Sequence, residues 1–171
     1  MFKKIIMCAI MLTLSLPLMA RAEFEAGDVE LTMSGSGTSD KDFRTSAITG
    51  QLSLGYFITR AFEASVRQSV SYTDPDDKVI LNGTSRLALD LHLPLARLQP
   101  FIGANIGYIY GDLVRDQFVG GPEGGLKFFL NETTFAFGQL EYQFFFEKAK
   151  QADEAFRNGR FVYSVGLGVK F

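Results

Sequence analysis

Nine ionisable side chains are placed where they could do chemistry: Glu30, Glu63, Arg67, Arg86, Asp90, Glu123, Lys127, Glu141 and Lys170. Each sits on the polar side of a segment in which apolar and polar residues alternate. Asn105, Gln139 and Gln143 share that side. Four of the nine are cations and five are anions. Enclosed together, such groups could fill a cavity with ion pairs, gate a passage or relay protons. Structural filling is the expected reading, with a gate, proton path or small ligand cavity as the functional alternative.

Other chemistries have less to stand on. His92 is the single histidine of the chain. It lies at the end of the fourth segment, which is expected to descend toward the periplasm, so no histidine–serine–acid constellation gathers at the outer rim. It is expected to be a rim residue meeting water or a headgroup. Acidic residues recur at Asp40 and Asp42, at Asp74, Asp76 and Asp77, and at Asp153 and Glu154. Their spacing is not that of a calcium-binding loop, and solvated loop charge is expected. There is no phosphate-cradling loop and no metal-ligand spacing, so neither metal nor cofactor is expected.

Composition narrows the setting. Residues 1–22 read as a cleaved secretory signal. Lys3 and Lys4 precede an apolar stretch from Ile5 to Leu16, and Ala20-Arg21-Ala22 supplies a small-x-small cleavage site. One domain is expected over 23–171. The leader carries three of the 17 basic residues and none of the 19 acidic ones, so the remainder carries a net −5. That balance excludes a nucleic-acid footprint, which needs a basic stripe. Cys8, the only cysteine, lies in the leader, so the mature chain has no disulfide, thiolate nucleophile or cysteine metal site.

The elements that must position the charged residues have period two. Eight alternating segments run at about 28–38, 45–57, 62–73, 83–93, 99–111, 118–130, 134–147 and from 160 to the end. The last is the plainest: Phe161, Tyr163, Val165, Leu167, Val169 and Phe171 alternate with mostly small or polar residues. At roughly 10–14 residues, the segments exceed ordinary soluble strands and suit tilted strands that cross a membrane. In hydrocarbon every backbone polar group must be paired within the protein, which requires a closed sheet. The expected fold is an all-β, eight-stranded, antiparallel, up-and-down transmembrane barrel.

The connections alternate too. Residues 58–61, 94–98 and 131–133 are short, whereas 39–44, 74–82, 112–117 and 147–159 are longer and charged. This alternation matches periplasmic turns and extracellular loops and puts both termini in the periplasm. Tyr56, Phe57, Phe62, Phe128 and Phe171 are expected at the periplasmic rim. Tyr72, Tyr108, Tyr110, Tyr142, Phe146, Phe161 and Tyr163 are expected at the outer one. With bulky apolar residues turned to lipid, the charged set faces the lumen, which eight strands leave just wide enough for side chains. Inward glycines at 103, 107, 125, 166 and 168 make room for Phe129, Phe135 and Phe137, or allow tight curvature. Three pairs are expected on neighbouring strands: Lys170 with Glu30, Lys127 with Glu141, and Arg67 with Asp90, of which at least two should form.

The Gly-Asp-Val-Glu-Leu-Thr opening at 27–32, Gly-Tyr-Phe at 55–57, Gly-Ala-Asn-Ile-Gly-Tyr-Ile-Tyr-Gly at 103–111 and Val-Gly-Leu-Gly-Val-Lys-Phe at 165–171 carry a resemblance. They resemble the small eight-stranded outer-membrane β-barrel proteins of Gram-negative bacteria, the class of OmpX and the OmpA transmembrane domain. The resemblance implies a bacterial outer-membrane location, contact with outer-membrane lipid and lipopolysaccharide, and delivery by the barrel-assembly machinery. Tyr163, Val165, Leu167, Val169 and Phe171 would carry the assembly signal. The expected role is that of a monomeric, non-enzymatic structural or surface-interaction protein with a plugged lumen. A narrow solute channel, a lipid-modifying enzyme and a soluble lipocalin-type barrel are the rivals.

Overall fold

In a computed structural model the chain is a closed barrel in which every strand pairs with the next and the last pairs with the first. The structure describes residues 23–39, 45–75, 80–111, 117–146 and 159–171. The leader at 1–22 lies outside these residues, as do Asp40, Asp42, Asp76, Asp77, Asp153 and Glu154. The strands are β1 (Val29–Ser39), β2 (Thr45–Phe57), β3 (Phe62–Pro75), β4 (Ile80–His92), β5 (Leu98–Gly111), β6 (Gln117–Phe129), β7 (Thr134–Phe146) and β8 (Arg160–Lys170). All neighbours are antiparallel. The boundaries follow the alternating segments of the sequence to within a few residues.

Alternation forces the two faces apart, since successive side chains of a strand point to opposite sides. Leu87, Val165 and Leu167 are 61, 70 and 58% exposed on the outer wall, whereas Arg67 and Glu141 are 6 and 3% exposed inside. The barrel is therefore inside-out relative to a soluble one: hydrocarbon outside, ions within. A lipocalin-type apolar interior is not what this chain adopts. Between the rims, the polar side chains of the described outer wall reduce to one patch. Gln68 donates from Nε2 to the Tyr110 hydroxyl at 2.8 Å, and Ser85 Oγ donates to Gln68 Oε1 at 2.6 Å. These bonds let an amide sit on an otherwise apolar wall.

One end carries both described chain ends and the short turns; the other carries the strand ends Ser39, Thr45, Pro75, Ile80, Gly111, Gln117, Phe146 and Arg160. The turns are held locally. Thr59 Oγ1 accepts from the backbone N–H of Phe62 at 3.0 Å, and Asn131 Oδ1 accepts from those of Thr133 and Thr134 at 2.9 and 2.7 Å. Between β4 and β5 the Leu98 N–H reaches the Leu95 carbonyl at 3.0 Å, with Ala96 in the left-handed region at φ 50°. The closing ladder between β1 and β8 is the shortest. It spans six pairs, from Glu30↔Lys170 to Gly35↔Val165.

Exposed rings mark both rims: Tyr56, Phe128 and Phe171 at the turn end, and Tyr72, Tyr108, Tyr110, Phe161 and Tyr163 at the other. Phe62, Tyr142 and Phe146 are half-buried. Two aromatics depart from a lipid-facing placement. Phe57 is wholly buried, because the residue next to an outward Tyr56 must point inward. Phe144 is nearly buried, its ring edge-on to Tyr142 at 4.9 Å between centroids.

Inward glycines make space for specific neighbours. A Cβ at Gly168 would overlap the Phe135 ring and one at Gly166 the Phe137 ring, while Gly103 faces Asp90 and Gly107 faces Arg86. Gly168→Val should therefore destabilise the barrel by about 1–3 kcal/mol through overpacking. Phe135→Leu in the same chain should recover part of the loss. Urea unfolding in detergent measures both, and an unchanged midpoint for Gly168→Val would contradict the packing.

Candidate functional site

The interior is built in three levels by the parity of the strands. At the turn end, five phenylalanines form an apolar cluster: Phe24, Phe57, Phe129, Phe135 and Phe137. Phe24 comes from the segment before β1 and stacks on Phe57 with centroids 3.9 Å apart and planes at 10°. It stands edge-on to Phe129 and Phe135 at 5.2 and 5.7 Å. Lys170 ties this segment down through the Glu23 carbonyl at 2.5 Å and Asp28 Oδ2 at 3.1 Å.

Directly above lies Lys127. Its ammonium is 5.0 to 5.5 Å from the ring centroids of Phe24, Phe57, Phe101 and Phe135, within cation–π range of all four. It donates to Glu30 Oε2 at 2.5 Å and to Glu63 Oε2 at 3.1 Å. His92 joins at Glu63 Oε2, 2.8 Å from its Nε2. The histidine is fully buried, with its ring against Phe57 and Phe101. It is therefore not a rim residue meeting water or headgroups: its position on β4 has the inward parity of Asp90.

The middle level centres on Arg67. Its guanidinium forks, with Nη2 on Asp90 Oδ2 at 2.7 Å and Nη1 on Glu123 Oε2 at 2.8 Å. Asn105 and Gln139 also donate to Glu123 Oε2, at 2.7 and 2.9 Å. The third level is Arg86 Nη1 on Glu141 Oε2 at 2.6 Å. Two small voids lie among these side chains. One, beside Glu63, Asp90 and Lys127, leaves about 10 Å³ for the centre of a water-sized sphere. The other, lined by hydroxyls with Arg86 and Glu141, leaves about 30 Å³. Each is on the scale of one or two waters.

Of the three expected neighbouring-strand pairs, Arg67–Asp90 forms and the other two do not. Lys127 goes to Glu30 and Glu63, Glu141 is taken by Arg86, and Lys170 is held by Asp28. Glu30 and Lys170 face each other in register, yet Lys170 turns to Asp28 and the Glu23 carbonyl; register explains the other miss. Lys127 lies opposite Phe137, four residues along β7 from Glu141, whose in-register neighbour is Glu123. At about 3.3 Å per residue that separation is beyond an ion pair. Three other in-register pairs are like-charged: Glu63 with Asp90, Arg67 with Arg86, and Glu123 with Glu141. The ties made by Lys127 to Glu30 and Glu63, by Arg67 to Glu123 and by Arg86 to Glu141 each reach a strand three places around the barrel.

Sequence reasoning missed Phe24, Phe57 and His92 as interior groups. Parity alone places Phe57 and His92 inside. Nothing in the alternation announces Phe24, which precedes the first strand. The five residues expected as an assembly signal lie together on β8 and at its end. Tyr163, Val165, Leu167 and Phe171 are exposed on the outer wall, and Val169 is half-buried.

No family model matches the chain, and no curated protein matches it by sequence. Solved structures do match. The N-terminal β-barrel domain of Pseudomonas aeruginosa OprF is 19% identical with a TM-score of 0.65, over 86% of this chain and 100% of that one. The outer membrane protein OprG of the same organism is 15% identical with a TM-score of 0.59, over 89 and 99%. Neisserial surface protein A is 11% identical with a TM-score of 0.55, over 85 and 95%.

The charge levels rank their own members. Lys127→Met leaves Glu30 and Glu63 without their cation, and Arg67→Met does the same to Asp90 and Glu123. Each should cost about 3–5 kcal/mol, the range for a buried charge deprived of its partner. Arg86→Met abandons only Glu141 and should cost less. Denaturant midpoints in detergent give the order, and an Arg86→Met loss matching that of Lys127→Met would contradict it. The chain has the eight-stranded fold of the small outer-membrane β-barrels.

Proposed function

We propose that this chain is an integral protein of the bacterial outer membrane with a non-enzymatic role, structural or in surface interaction, and with a lumen closed by its own side chains. The observation that supports the reading is the crowding of side chains in the interior. Phe24, Phe57, Phe129 and Phe135 cluster at the turn end, and the Lys127 and Arg67 clusters lie above them. The voids beside these clusters are water-sized. The apolar outer wall and aromatic rims suit a bilayer, and the short turns suit a periplasmic end. The β8 residues Tyr163, Val165, Leu167, Val169 and Phe171 suit recognition by the assembly machinery. Outer-leaflet lipid and lipopolysaccharide are the partners that such a wall meets. A non-enzymatic role is supported by the burial of His92 among aromatic rings, away from any lipid substrate at the opposite rim.

Conductance across planar bilayers tests the closed lumen. The barrel should pass no steady current, and a reproducible ohmic channel would replace this reading with the narrow solute channel. Protease treatment of intact cells tests the orientation. Cleavage should fall within residues 40–44, 76–79, 112–116 or 147–158 and spare the turns at 58–61, 94–98 and 131–133. Cuts at those turns would reverse the assignment.

A further inference from the structure

The fold assembles a group that chain spacing does not reveal. Glu63 from β3 and Asp90 and His92 from β4 each bring one ligand-type atom to within 4.8 Å of the other two. All three residues are buried to 2% exposure or less. An imidazole and two carboxylates form a donor set of the kind that holds divalent transition metals.

Two further observations point to a cation. The first is charge. Around this group four carboxylates, Glu30, Glu63, Asp90 and Glu123, share two cations, Arg67 and Lys127. With all four ionised, the acids exceed the cations by two charges among buried groups, where uncompensated charge is costly. One dication balances them. The second is the state of the donors. Asp90 Oδ1 is buried with no hydrogen-bond partner, although buried polar atoms are nearly always paired. The void against Glu63 and Asp90 has room for about one small sphere.

We propose that Glu63, Asp90 and His92 bind one divalent transition-metal ion of the zinc type inside the barrel. The small void favours zinc over magnesium, which needs six oxygens and keeps several waters, and over calcium, which takes six to eight oxygens. Zinc takes four ligands at about 2.0–2.2 Å from nitrogen and carboxylate oxygen. Glu63 Oε2 and His92 Nε2 are already 2.8 Å apart and need open by only a few tenths of an ångström to flank an ion. His92 ligates through one ring nitrogen as the neutral imidazole, its proton on the other. Lys127 stays with Glu30, and Arg67 stays with Glu123. The ion would cross-link β3 to β4 near the turn end, a role separate from conductance, so a conducting barrel would not by itself remove this site.

The probe is Zn²⁺ added to untagged protein purified from membranes in detergent. The chain has a single histidine, so one imidazole signal in the NMR spectrum reports directly on the site. That signal should shift and saturate at one equivalent, and equilibrium dialysis should return one ion per chain. His92→Gln and Asp90→Asn should each weaken binding at least tenfold. Asp76→Asn with Asp77→Asn, in the segment between β3 and β4, should leave it unchanged. An imidazole signal indifferent to millimolar Zn²⁺ would overturn the proposal. So would binding that survives His92→Gln and disappears in the Asp76/Asp77 variant. Should either lumen variant fail to fold, the wild-type imidazole titration decides alone.

Discussion

Like charges lie side by side along the inner wall, and this governs how the interior is put together. Glu63 borders Asp90, Arg67 borders Arg86, and Glu123 borders Glu141. Such neighbours repel at the spacing of paired strands, so neutralisation must come largely from elsewhere. In a barrel of eight strands, long side chains reach well beyond the adjacent strand. Arg67 takes one acid beside it and one three strands away; Lys127 takes two acids, both three strands away. The ion pairs are therefore struts across the tube. They hold its cross-section as well as its charge balance.

The struts share a narrow section with other large side chains, and the rest of the sequence makes room for them. Glycines where a Cβ would strike Phe135, Phe137, Asp90 or Arg86 let large groups share a thin section. Phe24 folds in from outside the sheet and packs at the end where Lys127 sits. Cation–π contact with four rings compensates the lysine for water it has lost. On the other face, hydrocarbon is exposed throughout, and the single amide patch at Gln68 is satisfied by Ser85 and Tyr110. Inside, most of the charged groups likewise find partners, although single atoms of Asn82, Arg86, Asp90, His92, Asn105 and Glu123 are buried without one.

Strand number, strand limits and the facing of nearly every residue were legible in the sequence, because period two is a local property. Leu87 and Arg86 differ in fate only by parity, and parity can be read from a few neighbours. Pairing inside the lumen was less legible. Lys127 seemed to belong with Glu141 when adjacency of strands was considered without register, and register depends on turn geometry and strand tilt. His92 was read from its place at a strand end, although its parity matched Asp90. Phe24 belongs to no strand, so alternation has nothing to say about it. The cluster of Glu63, Asp90 and His92 likewise required knowing that Glu63 lies opposite Asp90.

The short seam between β1 and β8 has a temporal side. It joins the first strand to the last, and its neighbour contact, Lys170 with Asp28, spans 142 residues of chain. Lys127 and Glu30 are 97 residues apart. Hairpins such as β2–β3 can zip early from their turns, whereas these distant contacts must wait for loop closure over nearly the whole polypeptide. The tube's electrostatic struts thus belong to the final step of folding. Until the sixth strand is in position, the acids of the first and third have no lysine to meet.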